Sequence, residues 1–71
     1  MTEDPLAQAE RHVREGEQRI AKQIDRIARM KADGDSERAI AAGEGVLVTL
    51  QWSLDLARMH LAWERSQSQR Q

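Results

Sequence analysis

The chain contains no cysteine, no tyrosine and no phenylalanine, and a single proline, at position 5, among its 71 residues. Without cysteine there is neither a disulfide framework nor a thiolate zinc site. The two histidines do not make a structural metal site by themselves. A domain this short buries a modest fraction of its surface and usually depends on a disulfide, a metal or oligomerisation. Oligomerisation is the support left open. An excess of one charge is also missing: 11 basic residues stand against 12 acidic ones, for a net charge of −1. A strongly basic chain would have pointed to nucleic acid or anionic lipid, and this one does not. No apolar run approaches the roughly 18 residues that a membrane span needs. The N-terminal stretch MTEDPLAQAE lacks the basic and apolar regions of a signal peptide. The expectation is a cytoplasmic protein with no membrane segment.

What is present favours helix: alanine, glutamine, glutamate and arginine are among the better helix formers. Asp4-Pro5 reads as a helix start, with Asp4 as N-cap and Pro5 in the first helical position. From there Leu6, Ala9, Val13, Gly16, Ile20, Gln23, Ile27 and Met30 alternate spacings of three and four. This is a heptad seam, which Ile24 is expected to widen. The opposite side, with Arg11, Glu15, Gln18, Lys22, Asp25 and Arg29, is polar. Acids precede bases by four residues at Glu10/Arg14, Glu15/Arg19 and Asp25/Arg29, a spacing that supports a helix.

Lys31-Ala32-Asp33-Gly34-Asp35-Ser36-Glu37 holds a basic residue in a last turn, then a glycine suited to the left-handed conformation. Asp35 or Ser36 follows as a new cap. So short a break turns the next helix back antiparallel. The expected organisation is one domain: a helix over about 5–33, a turn at about 34–35, a helix over about 36–65 and a polar tail over 66–71. The second seam runs Ile40, Gly43, Leu47, Leu50, Leu54, Ala57, Leu61. Centred on Asp35, the fold pairs positions that sum to 70. Met30 then meets Ile40, Ile27 meets Gly43, Gln23 meets Leu47, Ile20 meets Leu50, Gly16 meets Leu54, Val13 meets Ala57 and Ala9 meets Leu61. Several layers set a large side chain against a small one, as a closely packed seam requires. The strand-like run Val46-Leu47-Val48-Thr49-Leu50 is a competing signal. A lone strand would have no partner, and the heptads continue through it, so helix is expected, with a bend near Gly43 to Gly45.

The second helix is apolar on two opposite sides. Beside the seam, Gly45, Val48, Trp52, Leu56, Met59 and Trp63 form another stripe roughly 180° away. Polar residues separate the two: Glu44, Gln51, Asp55 and Arg58 on one flank, Thr49, Ser53, His60 and Glu64 on the other. The first helix covers one side only. The outer six residues are therefore the candidate interface, for a homodimer or higher homo-oligomer forming a four-helix bundle, or for a partner protein's helix. Two second helices crossing antiparallel near Leu54 would set Gly45 against Trp63 and Trp52 against Leu56.

No constellation spells out a reaction. His60 and Glu64 share a face, a spacing open to a metal or a proton-transfer pair, but they lack further ligands. His12 with Glu15 is a weaker pair. Ser53 and Asp55 lie on different helical faces, and Gly43-Glu44-Gly45 has neither the preceding strand nor the following lysine of a phosphate loop. The expectation is a non-enzymatic chain with no catalytic, cofactor-binding or metal-binding residues. The cations Arg11, Arg14, Lys22 and Arg29 are the alternative candidate site, for nucleic acid; acids interleave with them and no aromatic accompanies them. A hairpin that dimerises into a four-helix bundle resembles, in architecture alone, the Rop-like RNA-binding regulators. In addition, His12-Val13-Arg14-Glu15-Gly16-Glu17-Gln18-Arg19-Ile20, Gln23, and Asp33-Gly34-Asp35-Ser36 leading to Ala39 resemble a group of short bacterial proteins of unknown function. That resemblance spans roughly residues 10–61. It implies two helices and brings no activity with it.

Overall fold

The computed structural model describes residues 3–70 and contains two helices, α1 (Pro5–Ala32) and α2 (Glu37–Gln69), packed antiparallel against each other. No strand occurs among the described residues, and the run 46–50 lies inside unbroken helix. The heptad burial outweighs its β-branched composition.

Each helix end follows from local chemistry. Asp4 has extended backbone and its Oδ1 accepts from the Ala7 N–H at 2.8 Å, with Pro5 supplying a pre-set φ at the first position. At the far end Gly34 takes φ 73°. That left-handed turn lets the Asp35 N–H reach the Met30 carbonyl at 3.0 Å and the Gly34 N–H reach Lys31 at 3.3 Å. Both bonds satisfy carbonyls that a helix end would otherwise leave open. Of the two cap candidates, Ser36 is the one used: its Oγ accepts from the Ala39 N–H at 3.1 Å, and Glu37 sits in the first turn, where the helix dipole favours an acid.

The C-terminal boundary differs from expectation. α2 continues to Gln69, so residues 66–69 are helical and not a polar tail. Polarity misled there: Ser66-Gln67-Ser68-Gln69 contains no glycine or proline, and extending an existing helix by a residue costs far less than starting one. Gln71, the last residue of the expected tail, lies outside the described residues, as do Met1 and Thr2.

The seam follows the heptad reading closely. Its buried members are Ala9, Ile27, Leu54 and Leu61, and all the other seam positions are half-buried. Two glycines set how near the helices come. A β-carbon on Gly16 would lie 3.1 Å from Leu54 Cδ1, and one on Gly43 would lie 3.3 Å from Ile27 Cγ1. Both contacts are pairs that sum to 70. Gln23, the polar member of the seam, donates from Nε2 to the Gly43 carbonyl at 2.9 Å. Its amide thus reaches one turn away from Leu47 and is satisfied where the missing side chain of Gly43 leaves backbone accessible. Ile24 does not widen the core. It stands 52% exposed, at the rim of the stripe.

The resulting slab measures 55 × 22 × 14 Å and exposes 5670 Å². A compact monomer of 8.1 kDa would expose about 4,500 Å². No helix is long and apolar enough to cross a membrane among the described residues.

With so few buried side chains, single layers carry much of the stability. Truncating a buried leucine to alanine costs about 2–5 kcal/mol, and a core of this size supplies about 3–5 kcal/mol in all. Leu54→Ala should therefore lose most of its helical circular dichroism at 25 °C. Gly16→Val, which forces two methyls against Leu54, should lower the melting temperature; wild-type melting in both variants would contradict the packing.

Candidate interaction face on the second helix

The side of α2 turned away from α1 carries the outer stripe in full exposure. Trp52, Leu56, Met59 and Trp63 are between 57 and 69% exposed. Val48 is exposed as well, and a β-carbon on Gly45 would meet nothing within 4 Å. All six predicted residues thus share one open face of one helix. Each tryptophan offers on the order of 150–250 Å² of surface, so the patch exceeds the few hundred Å² a monomer commonly exposes.

Apolar residues on the other helix border it at Val48. Ile24 and Ala28 of α1 form an open apolar groove with Leu47 and Val48 of α2, closed at one end by Lys31 and Glu44. Ile24 is outside the heptad positions and is expected from the sequence to widen the seam. Its offset from the seam axis was the available sign that it lies at the rim. Val46, 49% exposed, lies on the opposite flank beside Ala42 and Met30; the sequence reading has it only in the strand-like run and in neither apolar stripe.

Charges bridge the two helices on one broad face of the slab. Lys31 Nζ lies 3.7 Å from Glu44, and Arg58 lies 3.7 Å from Glu17 and 4.0 Å from Asp55. These pairs are exposed, and such pairs are individually worth little to stability. On the other broad face His12, Glu15, Arg19 and Ser53 line a polar groove over Gly16 and Leu54. His60 Nε2 lies 3.3 Å from Glu64 Oε1 there. Among the described residues no third histidine, cysteine or acid joins them at metal-binding separation.

The cations of α1 divide into two kinds. Arg11 donates to Glu3 at 3.0 Å and to Glu15 at 2.7 Å, and Arg29 donates to Asp25. Glu15 also faces Arg19 at 3.7 Å. Arg14 and Lys22 are exposed and make no ion pair among the described residues, so the expected Glu10/Arg14 pair is not formed. Hydrogen bonding to Glu15, then to Glu3, raises the Arg11 pKa. In turn the hydrogen bond from Arg11 holds the Glu15 carboxyl below its ordinary value against a smaller opposing effect of burial. No family model, curated protein or solved structure matches the chain.

A carboxyl with a lowered folded pKa contributes stability above its unfolded pKa and loses that contribution as the pH falls through the folded value. Glu15→Gln should accordingly melt slightly below the wild type near neutral pH. The difference should close as the pH drops below the ordinary carboxylate range of about 4. A difference in melting temperature that stays constant across that range would contradict the Arg11–Glu15–Arg19 arrangement.

Proposed function

We propose that the chain is a small non-enzymatic interaction or assembly protein that works through the outer face of α2, by self-association or by docking a partner helix. The observation that carries this reading is the alignment of Trp52, Leu56, Met59 and Trp63 on one face, each more than half exposed, on a helix whose other side is already packed. Burying the four contributes about 2–3 kcal/mol apiece, against an association cost of about 4–15 kcal/mol. One such face laid on polar surface barely breaks even. The occupant must therefore bring apolar surface of its own.

The alternative, a Rop-like nucleic-acid-binding regulator using Arg11, Arg14, Lys22 and Arg29, has Arg14 and Lys22 in its favour, since neither is engaged by a carboxylate among the described residues. Arg11 and Arg29 are engaged. A phosphate backbone would have to displace those acids, so the apolar face has the stronger support.

The test is the size of the chain in an extract of its source cells. It should migrate above the mass of a single chain, and Trp52→Glu, a change on an exposed position that leaves the seam untouched, should return it to single-chain size. Single-chain migration of the unaltered protein, both in extract and when purified and concentrated, overturns the reading.

A further inference from the structure

We infer that the occupant of this face is a second copy of the same chain, joined antiparallel α2 to α2 about a two-fold axis near Leu54. The four helices would then lie in a row, α1–α2–α2–α1, and not in a square bundle. This inference rests on the interaction reading above and names the partner.

Three observations lead to it. The first is area. The chain exposes 5670 Å², about 1,200 Å² more than a compact monomer of its mass. A standard interface removes about 800 Å² from each partner, so one further copy laid on this face covers about two-thirds of that excess, an area of the size a stable dimer needs.

The second is self-complementarity. A two-fold contact requires that if residue i meets residue j, then j meets i. Measured from Leu54, the stripe has members nine residues to either side (Gly45 and Trp63), two to either side (Trp52 and Leu56), and six before and five after (Val48 and Met59). Reversed on itself, it sets each bulky side chain against a smaller one. Gly45 is the informative member. Gly16 and Gly43 are each in close contact across the seam, whereas a side chain at Gly45 would meet only open space. A glycine inside an exposed helix is unfavourable, and among the described residues no neighbour within 4 Å requires one at this position. The indole of Trp63 from the second copy fits that vacancy.

The third concerns which side is covered. A square bundle would bring the second hairpin over a broad face. One broad face carries the cross-helix pairs Lys31–Glu44 and Glu17–Arg58, and the other carries Glu15–Arg19 and His60–Glu64. Burying either set strips water from charges without improving their partners. The edge formed by α2 is apolar along Trp52, Leu56, Met59 and Trp63, with the exposed carboxylate of Asp55 at its margin, so contact there buries fewer charges than either broad face would. Contact at that edge lines the helices up, and Ile24 and Val48 extend the apolar border on one side of the junction.

The experiment uses the full-length purified chain, whose lack of cysteine makes single-cysteine probes unambiguous. Sedimentation should give twice the 8.1 kDa chain mass at high concentration. Gly45→Leu, which occupies the seat of Trp63 while favouring helix, should keep helical circular dichroism and raise the dimer dissociation constant about tenfold or more. Asp55→Cys, beside the axis, should form a covalent dimer with a short bis-maleimide, and Ser68→Cys, near the helix end, should not. Spin labels on Gln18→Cys, on the outer side of α1, should sit about 30 Å or more apart, as three helix spacings in a row require. A purified chain that stays single overturns the inference, and if assembly in extract persists the interaction reading survives it. Cross-linking at Ser68→Cys without Asp55→Cys, or Gln18 labels within about 20 Å, overturns the antiparallel row.

Discussion

A helix packed by one neighbour is shielded on one side, and α2 is apolar on two. Most of the molecule follows from that mismatch. The seam side is closed by α1 through close approach at Gly16 and Gly43, where the missing β-carbons admit Leu54 and Ile27. The far side has no such neighbour among the described residues, because Gly34 and Ser36 end one helix and begin the next within four residues and no third helix occurs among the described residues. A slab 14 Å thick has no interior in which two tryptophans could be placed. Their exposure is a consequence of topology, and no rotamer change within the hairpin would relieve it.

The polar residues serve the same arrangement. Carboxylates and guanidinium groups line both broad faces and keep them in water, while the α2 edge presents mainly Trp52, Leu56, Met59 and Trp63, with Asp55 beside them. Gln23 is the one polar side chain in the seam with a resolved partner, the Gly43 carbonyl. That bond is available in one register only, and a single satisfied polar group in an apolar seam is a recognised way of fixing helix alignment. Apolar burial holds the hairpin together, the glycines set its spacing, and the charges decide which surfaces stay wet. The face left over is the functional one in the reading proposed above.

Much of this could be read from residue order alone, for identifiable reasons. Heptad spacing is a direct image of a helix seam, so every predicted seam position is buried or half-buried. Asp4, Gly34 and Ser36 act through bonds spanning three to five residues, which the sequence displays. Less was legible where the outcome depended on the other helix. Ile24 is apolar and adjacent to the seam, yet its side chain passes the rim. The amide of Gln23 found a backbone carbonyl that no side-chain pattern encodes. Residues 66–69 looked like a tail because they are polar, although polarity does not stop a helix that lacks a breaker. The outer stripe was visible because it obeys the same periodicity as the core, while what covers it depends on a surface outside the chain.

The central claim is that the two indoles are shielded by association and by nothing inside the chain. Tryptophan emission and acrylamide quenching, followed as the purified protein is diluted, read this directly, since Trp52 and Trp63 are the only aromatic residues. The account predicts blue-shifted, protected emission at high concentration that moves to the red and becomes fully quenchable on dilution. Emission and quenching independent of concentration, whether shielded or open, would contradict it.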